Sequence, residues 1–553
     1  MSMDGRNGCA IYLVVPIYGS STVSRSTRAN AGPPSLAWKV TPQMTDQVVS
    51  RDENTGDSVQ RLKRNAVGTV GVIFMAVATA APITAMVGNV PIAVGFGNGA
   101  HAPAGYIVAT IVLGLFAIGY ATMAKHITAT GAFYGYISHG LGRVVGMASG
   151  LLITMAYIVF EASLIGIFSF FFQNLFKTQF DITVPWLAPA ILMLVLNCIL
   201  TYFDVNLTAK VLGVFLVTEI VMLSLGALAV LFKGGGPDGF AVAETLNPIG
   251  AFTPAAVAGA SAGLGLFFAF WSWVGFESTA MYGEESKDPK RIIPRATMIS
   301  VLGVGIFYVF VSWMAIAGTG PAKSVELAQS ADTSSEIFFG NVRSTYGEWA
   351  ITLFNILLVT GSFACGMAFH NCASRYLYAL GREGLSKGLQ KSIGATHPTH
   401  GSPHIASFVQ TGITLVLILA FYFAGMDPYI HMYTLLAILG TMAILVVQAL
   451  CAFAVIAYFH FHKNHPSSAH WFKTFLAPLL GGVGMLYVVY LLWEHKDAAA
   501  GAASGTLLFQ LTPWIVVGLF VFGAGMALYF KLRDPRRYDL IGRIVYEDNV
   551  VRD

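Results

Sequence analysis

The sequence predicts an all-α membrane protein of twelve transmembrane helices, and three observations carry that reading. Hydrophobic residues make up 55% of the 553-residue chain and charged residues only 11%, against about 25% charged in a typical soluble domain. Apolar segments of bilayer-spanning length, about 20 residues, recur along the whole chain. The Lys and Arg residues fall almost entirely on one side of the resulting topology.

The apolar segments cover 68–95, 104–123, 144–173, 184–203, 208–232, 261–283, 297–318, 347–379, 403–424, 429–460, 472–493 and 511–531. The third, eighth and tenth are long enough to tilt or to project from the bilayer. With the N-terminus placed in the cytoplasm, 27 of the 32 basic residues lie in the tails and the even-numbered loops. The opposite side holds only Lys177, Lys233, Lys323, Arg343 and Lys496. This asymmetry is what the positive-inside rule demands, and a wrong span count scrambles it. Both termini are therefore expected in the cytoplasm of a multi-pass cell-membrane protein.

Residues 1–60 are polar, rich in Ser, Thr and Gly, and without helical periodicity. They read as a disordered tail, with Met44 an alternative start. Residues 61–535 form the helical domain and 536–553 a second cytoplasmic tail. The five cysteines have no metal-ligand spacing and imply no disulfide framework. A net charge of +4 is too small to call for a nucleic-acid partner. No phosphate-binding loop, ATP-hydrolysing domain or catalytic triad is visible, so neither a cofactor nor an enzyme activity is expected.

Two spans look interrupted. The first contains Ala78-Thr79-Ala80-Ala81-Pro82, and proline breaks a helix before it while suiting the first turn of a new one. The N–H groups of Ile83, Thr84 and Ala85 would then face an anion such as a carboxylate; the bland alternative is a proline kink. The sixth span carries Trp271-Ser272-Trp273-Val274-Gly275-Phe276-Glu277-Ser278. Irregular backbone at that depth is tolerated only where it is buried or lines a cavity. Broken helices five spans apart fit an inverted repeat of five plus five helices with a shared central site. Repeat one is placed at about 66–232, repeat two at about 261–460, and two extra helices at about 472–531.

The run from Gly275 to Arg295, GFESTAMYGEESKDPKRIIPR, resembles the sixth-helix signature of the amino acid–polyamine–organocation superfamily of permeases. Ser374–Gly384 (SRYLYALGREG) resembles its eighth-helix pattern, and Gly131-Ala132-Phe133-Tyr134 its motif after the second helix. The resemblance covers about residues 60–535. It implies a secondary carrier of amino acids or related amines, working by alternating access and driven by a gradient, with the proton as the expected coupling ion. An exchanger, a polyamine importer and a substrate-sensing receptor are the alternatives. One departure stands out: relatives have a glycine-rich stretch where this chain has Ala-Thr-Ala-Ala-Pro.

The resemblance places the substrate among Thr79, Ala80, Ala81, Ile83 and Thr84 of the first break and Trp273, Val274, Gly275 and Phe276 of the sixth. Trp271 would be an aromatic gate, with Phe276 closing beside it. Three carboxylates, Glu161, Glu219 and Glu277, lie within spans without a Lys or Arg at comparable depth. Intramembrane carboxylates are functional candidates by default. Tyr157 and Glu161 are four residues apart, on one helix face, where Tyr157 could hydrogen-bond the ligand and Glu161 meet its ammonium group; the alternative is an interhelical hydrogen bond between Glu161 and a neighbouring backbone. Glu277 is the leading candidate for proton coupling, because relatives link the matching glutamate to pH dependence and gating; its alternative is a structural bond to freed backbone amides. Glu219 can also carry a proton, or simply make a packing hydrogen bond. Thr360 and Ser362 could serve a sodium site but commonly bond back to their own helix. Glu284, Glu285, Lys287, Lys290, Arg291 and Arg295 read as topology-setting charge, to which the family reading adds an inner gate. His460, His462, His465 and His470 read as a solvated loop.

Overall fold

The computed structural model describes residues 62–542 apart from 129, 204, 331–332, 384–385 and 496–502, together with Ser50–Arg51 and Ser58–Val59. Those two short pieces pair as antiparallel strands. The expectation of disorder for the remainder of the first 60 residues lies outside the described residues, as does Cys9.

The helices follow the predicted segments closely: α1 Thr69–Gly97, α2 Ala102–Met123, α3 Arg143–Phe180, α4 Leu187–Tyr202, α5 Val205–Phe232, α6 Ala262–Trp271, α7 Pro289–Thr319, α8 Glu348–Arg382, α9 His404–Phe423, α10 Pro428–Phe461, α11 Trp471–Glu494 and α12 Leu507–Arg533. Among the described residues ten of these are long and apolar enough to cross a membrane. The other two are α4, with 16 residues, and the ten-residue α6, which continues past a break as the 3₁₀ segment Phe276–Tyr282. The third, eighth and tenth segments are the longest, at 38, 35 and 34 residues. The expected loop after α2 is instead partly helical: Phe133–Gly140 forms a short helix whose seven buried residues include Phe133, Tyr134 and Tyr136.

Two groups of helices pack among themselves. One holds α1, α2, α6 and α7; the other holds α3, α4, α8 and α9. Lipid is as apolar as leucine, so membrane helices associate through close packing of small residues and through buried polar bonds. Both devices are present. A Cβ on Gly97 would lie 2.6 Å from the Cα of Gly265, so α1 and α6 meet backbone to backbone. Trp273 Nε1 donates to the Val301 carbonyl of α7 at 3.2 Å. α10 is enclosed by its neighbours, whereas α12 stands at the periphery.

Candidate functional site

α1 breaks where the proline predicts. Ala81 adopts a left-handed conformation, φ 47° and ψ 71°, and Pro82 opens the second half of the helix. A side chain other than glycine costs roughly 1–2 kcal/mol in that region, so the break is held by its surroundings. Tyr308 donates to the freed Ala80 carbonyl at 2.9 Å and the Cys365 thiol donates to the Thr79 carbonyl at 3.2 Å. α6 breaks at Gly275, with φ 115°. A Cβ there would come within 2.4 Å of Thr79 Cγ2, so the two breaks face each other at contact distance.

A cavity lies between them. Thr79, Ala80, Ala81, Thr84, Trp271 and Val274 line it, as the sequence reading expects. α1 adds Asn89, α6 adds Ser272, α3 adds Phe160 and Ser163, α8 adds Cys365 and Phe369, and α10 adds Tyr433. The Trp271 ring stacks on Phe268 at 5.0 Å between centroids and tilts over Tyr433 at 5.4 Å. Asn89 Nδ2 donates to Ser272 Oγ at 3.0 Å, and the Tyr433 hydroxyl donates to Asn89 Oδ1 at 3.3 Å. The Thr84 hydroxyl is buried, lines the cavity and has no partner. The lining contains no charged side chain.

Several predicted residues stand elsewhere. Ile83 does not offer its N–H to a ligand: it donates to Glu219 Oε2 of α5 at 3.2 Å. The Ala85 N–H closes onto the Ala81 carbonyl at 2.8 Å. The expected three-amide anion site is therefore partly filled by the protein's own carboxylate, which is drawn to the positive end of the half-helix as any anion would be. Trp273 points into α7, and Phe276 packs edge-on against Phe116. Glu277 folds back over the α6 break, where its carboxylate accepts from the Gly275 N–H and the Tyr157 hydroxyl, each at 3.0 Å. Tyr157 thus meets Glu277, and Glu161 turns to other partners.

Glu161 does not line the cavity. Its carboxylate accepts from Gln410 Nε2 (2.5 Å) and Thr414 (3.1 Å) of α9, from Asn197 of α4 (3.3 Å), and bonds His370 Nδ1 of α8 at 2.7 Å. The signal was present in the sequence as a histidine inside the eighth span; a search confined to Lys and Arg counter-charges passes over it.

The charges beyond α6 do more than set topology. Glu285 receives two bonds from Arg375 at 2.9 and 3.0 Å, and Glu284 two from Arg382 at 2.9 and 2.5 Å; all four side chains are buried. The Arg382 guanidinium and the Thr130 amide hold the Glu284 carboxyl below the usual glutamate range despite its burial. These pairs join the α6 segment to α8 and so tie the two helix groups together. Ser362 and Thr360 bond back to their own helix. In the histidine loop, His460 meets Thr474, His462 meets the Gly140 carbonyl, His470 caps Phe472 and Lys473, and His465 stacks on His126.

Two broken helices that face each other beside a cavity, in a bundle with ten helices long and apolar enough to cross a membrane among the described residues, describe a multi-pass membrane protein. The chain belongs to the amino acid permease family, whose pattern matches residues 67–529. It is 22% identical over 435 residues to the branched-chain amino acid permease BcaP of Bacillus subtilis (strain 168), covering 75% of this chain and 84% of that one. It is 24% identical over 361 residues to the low-affinity putrescine importer PlaP of Escherichia coli (strain K12), covering 64% and 75%. The glutamate/serine transporter AimA of Bacillus subtilis (strain 168) matches at 24% over 347 residues, 57% of this chain and 59% of that one.

Proposed function

We propose that this permease carries a neutral amino acid with an apolar side chain across the cell membrane, by alternating access and with protons as the driving ion. The observation that carries the reading is the cavity lining: it is free of charged side chains, with aromatic rings on one side and the unpartnered Thr84 hydroxyl beside the α1 break. A zwitterion can lay its carboxylate against Thr84 and the start of the half-helix, where the dipole favours negative charge. Its amine can meet the Ser272 and Val274 carbonyls at the α6 break, those of Trp271 and Trp273 being taken by the Val274 and Phe276 amides, and its side chain Phe160, Phe369 and Trp271. A polyamine, carrying several positive charges, finds no carboxylate in that lining and would pay the cost of burying unpaired charge. Among the relatives' substrates, the branched-chain class fits best.

We take this conformation to be an occluded step. With both termini in the cytoplasm, the Glu285–Arg375 and Glu284–Arg382 pairs close the inner side. On the outer side Gln329 donates to the Gly95 carbonyl at 2.6 Å and the Ser261 amide to Phe96. The five-plus-five repeat supplies the two moving parts, with α1, α2, α6 and α7 rocking against α3, α4, α8 and α9. Glu277 bridges them through Tyr157, and a change in its protonation exchanges an acceptor for a donor at that bridge. That is the two-state bias that alternating access requires.

Radiolabelled leucine and putrescine uptake into proteoliposomes under an imposed pH gradient tests the reading. Leucine should accumulate and putrescine should not. Glu277→Gln, neutral and nearly isosteric, should still bind leucine but lose proton-driven accumulation. Unchanged accumulation by that variant would refute coupling through Glu277, and putrescine uptake without leucine uptake would refute the substrate class.

A further inference from the structure

We infer that Glu161 and His370 form a proton-binding site inside the helix frame, separate from the substrate cavity. The site lies where α3, α4, α8 and α9 meet, and both side chains are fully buried. With Glu161 ionised, its oxygens can only accept. The hydrogen in the 2.7 Å bond must then sit on His370 Nδ1. That fixes the tautomer and leaves Nε2 as the basic nitrogen.

Nε2 does not face the carboxylate. It lies 2.8 Å from Ser407 Oγ, which lies 2.8 Å from Thr201 Oγ1. Thr201 is in the last turn of α4, beside Tyr202, whose hydroxyl is 2.9 Å from His397 Nε2. His397 stacks on His400 at 4.7 Å, in the loop before α9. The Ser407 and Thr201 hydroxyls thus stand in file on the Nε2 side of the imidazole, and Thr201 Oγ1 donates onward to the Asn197 carbonyl of its own helix at 2.8 Å.

The exchange balances simply. Nε2 takes up one proton from water, and Ser407 Oγ turns from donor to acceptor at that bond. The pair then changes from carboxylate with neutral imidazole, one net negative charge, to carboxylate with imidazolium, no net charge. Burial favours the neutral pair, since an uncompensated charge in the membrane interior is costly. The groups facing the pair from α4 and α9 are the neutral Asn197, Thr201, Ser407, Gln410 and Thr414. Along α8 the nearest charged side chain is Arg375, already engaged by Glu285.

A second observation marks the same spot. Asn197 Oδ1 and Gln410 Oε1 are buried acceptors without donors, although both residues already donate to Glu161. A frame built only for rigidity has no reason to leave two acceptors unmet beside its one charge, whereas a site that takes up a proton or water has a use for them.

The test reads protonation directly and does not depend on transport. Full-length protein labelled with ¹⁵N-histidine is reconstituted into liposomes, and the His370 resonance is assigned by its loss in His370→Gln. As the pH is lowered it should convert from the neutral to the imidazolium pattern, and in Glu161→Gln that conversion should be displaced. A resonance that stays in one form over the whole range, in wild type and Glu161→Gln alike, overturns the proposal. If His370→Gln fails to fold, Ser407→Ala assigns the same resonance by altering only the Nε2 partner. The functional half rests on the transport reading: His370→Gln should lose the pH dependence of leucine uptake while leucine binding persists. Wild-type protein that moves no leucine refutes the transport reading alone, and the titration still decides the site.

Discussion

If the inner side is closed as proposed, the Glu285–Arg375 pair sets how firmly, and Glu285→Gln should open it. The pair is bidentate, and both side chains are 2% exposed. Removing one partner of such a buried pair costs about 3–5 kcal/mol, because the remaining charge is left uncompensated. Arg375 keeps some support: it donates to Asn371 Oδ1 at 2.7 Å and lies 4.9 Å over the Tyr282 ring. The lower end, about 3 kcal/mol, is therefore expected, which is roughly a hundredfold change in the ratio of closed to open states. The chain carries its own reporter. Cys365 lines the cavity and is 2% exposed when the inner side is closed. With Cys9 and Cys198 replaced by serine, a membrane-impermeant maleimide applied to inside-out vesicles should label Glu285→Gln far faster than the parent. Adding Arg375→Met should restore slow labelling, since removing both charges removes the unpaired one. Equal labelling of Glu285→Gln and parent would mean that the pair does not hold the gate.

Gly275→Ala should abolish uptake and lower the melting temperature, because its Cβ would strike Thr79 and φ 115° disfavours any side chain; a scanning fluorimetry curve like the parent's would contradict this. Ala81→Gly should do the reverse, stabilising by about 1 kcal/mol through relief of the left-handed backbone, read as a raised melting temperature. Glu219→Leu leaves the Ile83 amide without its partner and should destabilise by about 1–3 kcal/mol, while Glu219→Gln should recover most of that. At the chain's far end the Gly542 amide donates to Glu383 at 3.0 Å, and burial pushes the Glu383 carboxyl up to about 8, against the pull of that amide and of Arg382. A raised carboxyl favours the docked tail at low pH and loses that contribution as pH rises through about 8. A spin label replacing the exposed Arg536 should therefore gain mobility above pH 8 in the wild type, and Glu383→Gln should remove the transition.

The spans were legible because bilayer thickness dictates length and leaves little freedom in where a run of apolar residues can begin. The breaks were legible because proline and mid-span glycine have local causes. What the sequence hides is the partner of each buried polar group. Glu161 and Tyr157 share a helix face in the one-dimensional pattern, yet a turn of helix separates what each can reach, and one meets His370 while the other meets Glu277. Asn89, Ser272 and Tyr433 join the cavity from three helices far apart in the chain, and none carries a local signal of that role. The Ile83 amide reads as open to a ligand because the break leaves it without a helical partner, while Glu219, 136 residues away, fills it. Glu284 and Glu285 read as topology-setting charge, to which the family resemblance adds an inner gate, and nothing local in the sequence points to their partners Arg382 and Arg375 at the end of the eighth helix.

α3 presents Phe160, Ser163 and Leu164 to the cavity, while the carboxylate of Glu161, next in sequence to Phe160, turns into the frame. Adjacent positions on one rod therefore answer to different demands. On the proposed reading, enlarging or shrinking Phe160 should change what the cavity accepts without unseating the carboxylate beside it, so cargo and proton site can change independently. Directed evolution for new cargo has its first library there: positions 160, 163 and 164 varied together, with 161 held.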